Sequence, residues 1–160
     1  MLRASMAALV ALAIATTSGP ARASDPDTAG MARLFASLEK GIREASEALF
    51  KAGWHPEGYT RNFVGGSGLA GFKVYNQGTR KHWFLRPDLK ALKTVGRGAP
   101  FIVPCDIWSW EKNKAVDHVW AALIWHGKAW VILGAGEKLA EVEALAKRYQ
   151  EKKPLAPPAK

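Results

Sequence analysis

A pair of strand-like runs near the C-terminal end of the chain restricts its fold more than any other feature. Residues 116–125 and 128–133 are rich in branched and aromatic side chains and follow a period of two. His126 and Gly127 lie between the two runs, and such a pair suits a tight turn. The sequence therefore predicts an antiparallel hairpin in this region.

The expected turn determines which residues face one another across the hairpin. The predicted pairs are Trp125 with Lys128, Leu123 with Trp130, and Trp120 with Leu133. One face then carries Ala121, Leu123, Trp125, Trp130 and Ile132. The other face carries Trp120, Ala122, Ile124, Val131 and Leu133. Because both faces are apolar, the hairpin should lie centrally, with another layer packed on each side.

Further segments extend the predicted sheet. Residues 106–111 form a strand with Trp108 and Trp110 on one face, and the polar residues that follow turn the chain back into the hairpin. The segments 69–76 and 81–85 have weaker strand character, and the first could instead open as a helix. Together these segments predict an antiparallel sheet of about five strands.

Helical periodicity occurs on both sides of this sheet region. In residues 31–52 a single apolar stripe predicts one helix, formed by Met31, Leu34, Phe35, Leu38, Ile42, Ala45 and Leu49. Gly53 would end this helix, and Pro154 would end a second one. The stripe of the second helix is Leu139, Val142, Leu145, Ala146 and Tyr149. The predicted fold class is α+β, a central antiparallel sheet with an N-terminal and a C-terminal helix packed on it.

The first residues have the three-part layout of a secretory signal. A positive start precedes ten apolar residues at 6–15 and a small-x-small cleavage site at 21–23. Ten helical residues span about 15 Å, half of the roughly 30 Å that a membrane span must cross. We therefore expect a periplasmic or secreted protein without stable membrane insertion. The expected organisation is a signal peptide at 1–23, a flexible leader at 24–30, one domain at 31–153 and a proline-rich tail at 154–160.

The chain is strongly basic, with a formal net charge of +9 at pH 7. Removal of the signal peptide takes away Arg3 and Arg22 and no acid, which leaves +7. Such an excess favours anionic partners, above all an anionic glycan or peptidoglycan, with nucleic acid the less favoured. Because the charges are scattered along the chain, the excess is also consistent with general solubility, and a protein partner stays an alternative.

The sequence predicts neither a metal site nor a cofactor. His118 and His126 share a predicted strand face but are eight residues apart. At about 3.4 Å per residue, that spacing places them roughly 27 Å from each other. His55 and His82 have no His, Cys or carboxylate at ligand spacing. The glycines at 65–68 lack the Lys-Ser/Thr pair of a phosphate-binding loop.

Seven tryptophans in one small domain indicate a surplus beyond core packing. Core packing should use several of them, and Trp120, opposite Leu133, is the best candidate for the core. Partly covered aromatic rings dominate binding energy, and basic groups beside them suit an anionic ligand. The predicted ligand-binding residues are therefore Trp125, Trp130, Arg80, Lys81 and Trp83. For the last three, the alternative is one face of an ordinary amphipathic strand.

Two strand motifs follow one another in the order Pro104-Cys105-Asp106-Ile107-Trp108 and His118-Val119-Trp120-Ala121. This order resembles the second half of the NlpC-type peptidoglycan endopeptidases, a papain-like family in which a Pro-Gly-Asp strand precedes a His-Val-Gly-Ile strand. The resemblance implies that His118 is a catalytic base. It also places Gly66 where the family has its nucleophilic cysteine. Ile132 and Leu133 occupy the strand that carries the family's orienting polar residue.

Cys105 is the only cysteine, so it cannot form an internal disulfide. It could act as a nucleophile only as a thiolate near a base such as His118, and otherwise it is a small buried thiol. A distance of about 4 Å or less between the Cys105 sulfur and a ring nitrogen of His118 would favour the nucleophile over the buried thiol.

Two functions are therefore expected for this chain. The first is a secreted or periplasmic binding or inhibitory protein for an anionic envelope component or a partner protein. The second is a papain-like cell-wall peptidase, either degenerate or using Cys105 and His118. The absence of a nucleophile at Gly66 favours the first.

Overall fold

The computed structural model describes residues 26–57, 83–94 and 100–153. The elements in chain order are α1 Thr28–Arg43, α2 Glu47–Ala52, β1 Trp83–Pro87, a 3-10 helix Leu89–Ala91, β2 Lys93–Thr94, β3 Phe101–Ser109, β4 Lys114–His126, β5 Ala129–Gly136 and α3 Leu139–Gln150. The predicted α+β class, with an antiparallel five-stranded sheet and helices at both ends, is confirmed. The predicted signal peptide, the segment 69–76 and the tail 154–160 lie outside the described residues.

The sheet has the strand order β1-β3-β4-β5, and β2 pairs with the beginning of β3. The predicted three-stranded meander corresponds to β3, β4 and β5 and is confirmed. β3 begins at Phe101, ahead of the predicted start at 106, because it continues through Pro104. A proline cannot donate a hydrogen bond within a sheet. The Pro104 carbonyl instead accepts one from the Asp88 N–H at 2.9 Å.

The hairpin turn is displaced by one residue from its predicted position. Gly127 and Lys128 form the turn, and Gly127 has a φ of +63°, a conformation that favours glycine. The three predicted pairs are therefore wrong. The observed pairs are His126 with Ala129, Trp125 with Trp130, and Leu123 with Ile132. A register shift between Ala122 and Leu123 then brings Trp120 opposite Gly136.

The two faces of the sheet pack against different helices, as the apolar pattern of the hairpin predicted. Displacing the turn by one residue moves each partner by two positions, so the same side chains stay on the same face. On the α1 side, the buried cluster includes Met31, Leu34, Phe35, Leu38, Ile42, Ala121, Leu123 and Ile132. On the α3 side it includes Ile102, Ala122, Ile124, Val131, Leu133, Val142, Leu145 and Ala146.

The predicted helix at 31–52 is interrupted, so the prediction of one continuous helix is wrong. α1 ends two residues before Ala45, which has a φ of 52°. A residue with a Cβ rarely adopts this conformation inside a helix. The hydroxyl of Ser46 then caps α2 by accepting a hydrogen bond from the Leu49 N–H at 3.4 Å. Ala45 is exposed, and the turn brings Phe50 of α2 into the same core as α1.

The beginning of α1 lies within the segment that the sequence predicts as a flexible leader. The helix starts at Thr28 because Asp27 caps it, with Oδ1 accepting a hydrogen bond from the Gly30 N–H at 2.8 Å. Oδ2 of the same carboxylate accepts a hydrogen bond from the Trp130 indole at 3.1 Å. The boundary at residue 30 is therefore wrong, because a contact with β5 supports the first turn of the helix.

The C-terminal helix is confirmed. α3 buries Val142, Leu145 and Ala146 against the sheet and ends at Gln150, ahead of Pro154. Among the residues that the structure describes, no helix combines the length and hydrophobicity that crossing a bilayer requires.

Candidate functional site

Trp125 and Trp130 form an aromatic pair at the hairpin end of the sheet. They are cross-strand partners on the face that also carries α1. Their ring centroids lie 5.7 Å apart at an interplanar angle of 78°, an edge-to-face contact. Trp125 exposes 50% of its surface, which leaves part of the residue open to a ligand.

Trp130 is held more firmly than Trp125. Its ring also contacts Phe101, with centroids 5.8 Å apart, and its indole N–H binds Asp27. The hydrogen bond from the Gly30 backbone, together with the one from Trp130, lowers the pKa of the Asp27 carboxyl. The charged carboxylate therefore fixes the Trp130 ring, which can act as a rigid wall.

These rings border a groove of 290 Å³ between the first turns of α1, the end of α2 and the hairpin. We call it the aromatic groove and define it by Trp125, Trp130, Arg33 and Lys128. Both cationic residues are exposed. Among the described residues, neither of them forms an ion pair with a carboxylate. The aromatic groove thus offers two ring surfaces and two cations to a ligand.

Sequence reasoning identified the two tryptophans of this groove but missed its cations. Arg33 was visible only as a residue off the apolar stripe of the first helix, and Lys128 only as a residue near the turn. No sequence pattern links positions 33 and 128. Their proximity depends on how α1 packs against the sheet.

The other predicted ligand-binding residues do not join the aromatic groove. Arg80 and Lys81 lie outside the described residues. Trp83 begins β1, which is separated from β5 by β3 and β4. Three strand spacings amount to about 14 Å, and Trp83 packs against the α1-side core. The structure therefore does not bring Trp83 together with Trp125 and Trp130.

The structure does not bring Cys105 and His118 together either. Cys105 lies opposite Val119, and both belong to the buried cluster beneath α1. His118 is one residue away along β4 and so points to the opposite face of the sheet. The Cys105 thiol is 2% exposed, and it donates a hydrogen bond to the Val103 carbonyl at 3.7 Å. Burial above all, and then the charge of Asp106, raises the pKa of this thiol, so it stays protonated.

His118 has a different partner, Asp106, on the neighbouring strand. The Nδ1 atom of His118 donates a hydrogen bond to Oδ1 of Asp106 at 2.6 Å, and the imidazole is 78% exposed. Arg86 lies beside Asp106 in register, and its guanidinium stacks over the Trp108 ring at 3.9 Å. We call the surrounding 400 Å³ cavity the ion-pair cleft and define it by Arg86, Asp106 and His118. Cys105 borders this cleft, but its buried thiol does not face the imidazole.

The remaining tryptophans differ in how far they are buried. Trp54 is buried in the α1-side core, whereas Trp110 is 37% exposed in the turn between β3 and β4. Trp120, predicted as a core residue, is only partly buried at the edge of the α3-side cluster. The Lys93 ammonium lies 4.9 Å from the centre of its ring. Trp120 is less buried than predicted because the register shift places Gly136, not Leu133, opposite it.

A pair of histidines that the sequence did not connect lies behind the aromatic groove. His55 follows α2, His126 ends β4, and their ring centroids lie 4.6 Å apart. They are far apart in the chain, so no local pattern indicates the contact. Within the described ranges, no group of three or more His, Cys, Asp or Glu side chains is arranged to hold a metal ion.

Comparison with known proteins gives no family assignment for this chain. No known protein family matches it, and neither a curated protein nor a solved structure matches it significantly. The similarity to NlpC-type endopeptidases therefore stays a prediction from sequence.

Proposed function

We propose that this protein binds an anionic glycan of the cell envelope, with peptidoglycan as the principal candidate, in the aromatic groove. One observation carries this proposal: two tryptophans and two cations line the same groove. Trp125 provides an exposed ring on which the apolar face of a sugar can stack. Arg33 and Lys128 provide charge for carboxylates on the same polymer.

The expected affinity for a single repeat of such a glycan is modest. The cations are exposed, and exposed ion pairs contribute only about 0–1 kcal/mol each. A polymer compensates for weak sites, because several protein molecules or repeats can engage it at once. Binding should therefore be stronger to intact polymer than to a single fragment, and it should weaken as salt screens the cations.

Support for an envelope location comes from the N-terminal sequence and the net charge. The layout of residues 1–23 predicts export, and the chain keeps a charge of +7 after their removal. Peptidoglycan carries free carboxylates in that compartment, so the expected location and the expected ligand agree.

The test is cosedimentation of the purified protein, from residue 24 onward, with purified peptidoglycan sacculi. Replacing Trp125 by Ala should weaken binding at least tenfold, or about 1.4 kcal/mol, because it removes the exposed stacking surface. Replacing both Arg33 and Lys128 by Gln should weaken binding and flatten its dependence on salt. Circular dichroism should show that both variants stay folded.

Matched controls test whether the groove itself is responsible. Trp110→Ala removes another exposed tryptophan at the far end of the hairpin strands, and Lys112→Gln removes a charge there. Both should bind sacculi as the wild type does. Equal losses from the control and groove variants would mean that binding is a general property of a basic surface. Wild type that stays in the supernatant would refute the glycan proposal and direct attention to a protein partner.

A further inference from the structure

The chain after α2 forms a short strap along the outer edge of β5. The His55 N–H donates to the Ile132 carbonyl at 2.9 Å, and the Ile132 N–H donates to the Gly53 carbonyl at 2.8 Å. Trp54 between them is buried in the α1-side core. Residues 53–57 are therefore attached to the sheet by two backbone hydrogen bonds and one buried ring.

The imidazole of His55 is held in its neutral form by its surroundings. Its Nδ1 atom accepts a hydrogen bond from the Glu57 N–H at 3.2 Å, so the ring proton of the neutral form is on Nε2. A second proton would have to occupy Nδ1, where it would face an N–H donor and break this bond. The side chain is only 7% exposed, so water cannot replace the lost partner.

The surroundings of this imidazole disfavour its protonation on balance. His126 of β4 meets it edge-on with ring centroids 4.6 Å apart, and Tyr149 of α3 lies at 5.8 Å. Burial above all, and then the neighbouring His126, lowers the pKa of His55, while Glu57 on its own strap opposes the shift. The unfolded chain therefore binds protons more readily than the folded one just below the ordinary histidine pKa of about 6.5.

Both histidines lie close in the chain to residues that line the aromatic groove. Ala52 and Gly53, which Trp54 separates from the strap histidine, line one wall. Trp125, immediately before His126, lines the other. If both imidazoles were protonated, two like charges would be in contact between the chain segments that carry these walls.

We propose that the His55–His126 contact is a pH-sensitive support of the aromatic groove, which holds the groove in its binding form at neutral pH and loosens it on acidification. The effect on ligand binding rests on the proposed glycan function, whereas the effect on the strap does not. The sign follows from the neutral imidazole: stabilisation is complete above about pH 6.5 and declines as the pH falls below that value. An exported protein would meet such changes directly.

The test combines three measurements on the mature protein between about pH 7.5 and 5.5. The first is NMR titration of the histidine rings, in which the pKa of His55 should lie below the ordinary histidine value of about 6.5. The second is hydrogen exchange of the His55 and Ile132 amides, whose protection factors, relative to the intrinsic exchange rate at each pH, should fall on acidification. The third is sacculus binding, which should weaken roughly threefold to tenfold over this range, since one linked proton changes an equilibrium at most tenfold per pH unit.

Two substitutions separate the switch from a general effect of pH. His55→Asn keeps an acceptor for the Glu57 N–H but cannot titrate, so it should remove the pH dependence of both amide protection and binding. His118→Asn removes a histidine eight residues away from His126 along β4 and should keep the wild-type pH profile. Should His55→Asn unfold, His126→Gln is the second variant, and it should raise the pKa of His55 and reduce the pH dependence of amide protection.

The outcomes distinguish this proposal from the proposed function. His55 titration at or above the ordinary pKa, or protection factors of the strap amides that do not change with pH, would overturn the switch whether or not sacculi bind. If the protection of the strap amides depends on pH but the protein does not bind sacculi, the switch in the strap is upheld and the glycan function is refuted. Binding with no pH dependence would overturn the link between strap and groove.

Discussion

The aromatic groove and the ion-pair cleft lie on opposite faces of one sheet, and both combine tryptophan with charged side chains. In the cleft the charges have partners: Asp106 binds His118, and the Arg86 guanidinium stacks on an indole. In the aromatic groove, Arg33 and Lys128 make no ion pair with any described residue. Similar residue types therefore leave different charges available for a ligand on the two faces. The charges of the cleft already have partners within the protein. Pairing, more than composition, distinguishes the aromatic groove from the cleft as the candidate binding surface.

The largest expected effects are on stability, and they separate Trp130 and Trp120, which are partly buried, from the more exposed Trp125. Trp130→Ala should cost about 2–3 kcal/mol in the free energy of unfolding, since it removes a half-buried ring and its bond to Asp27. Trp120→Ala should cost about 2 kcal/mol, less than a fully buried tryptophan, because Trp120 lies at the edge of its cluster. Trp125→Ala should cost below about 1 kcal/mol.

Urea unfolding of these three variants, followed by circular dichroism, checks this order. Trp120→Ala should also leave sacculus binding intact, because its ring belongs to the other face. An equal loss of stability in all three variants would mean that Trp125 is an interior residue and would remove the main support for the aromatic groove.

A smaller effect is expected from Asp27, which links α1 to the rigid wall of the groove. Its pKa is lowered in the folded protein, so its charged form stabilises the fold above its ordinary pKa of about 3.9. This stabilisation should disappear as the pH falls through the lowered folded-state pKa. Asp27→Asn should therefore melt at a lower temperature than the wild type at neutral pH, and the two melting temperatures should converge in acid.

A second variant tests the origin of that effect. Trp130→Phe keeps an aromatic ring but removes the indole donor to Asp27. The melting temperature of this variant should depend less on pH in the acid range than that of the wild type. An unchanged dependence would assign the lowered pKa to the helix cap and the charge of Arg33.

The smallest effect is expected at Cys105 and His118, on which the peptidase alternative depends. Wild type, Cys105→Ala and His118→Ala should all leave muropeptides uncleaved, as judged by mass spectrometry, because the thiol and the imidazole lie on opposite faces. Iodoacetamide should modify Cys105 only after unfolding, since burial raises the pKa of the thiol and excludes the reagent. Cleavage by wild type that both substitutions abolish would overturn this assignment and the binding proposal with it.

The sequence was sufficient to predict the architecture of the described core. Periods of two and of three to four report which side of a strand or helix is buried, and this information is local. For that reason the meander, the two apolar faces of the hairpin and the C-terminal helix were all predicted correctly. The same reasoning identified Trp125 as an aromatic residue beyond the needs of the core.

Local patterns were insufficient wherever a long-range contact selected among similar conformations. The apolar stripe ran through Ala45 without indicating the break between α1 and α2, and two adjacent turn positions suited the hairpin equally well until packing selected Gly127 and Lys128. The start of α1 depended on Asp27 meeting Trp130, residues that are distant in the chain.

The charges and titrating groups of the site were decided by tertiary structure alone. The sequence determined that the protein would be basic, rich in tryptophan and built around a two-sided sheet. Packing of α1 and the strap on the β4–β5 hairpin placed Arg33 near Lys128 and His55 against His126. The physical reason is the distance along the chain over which each feature acts. The periodic pattern that reports burial is a property of neighbouring residues. The pairing of charges and rings depends instead on distances in space that exist only after the layers have packed.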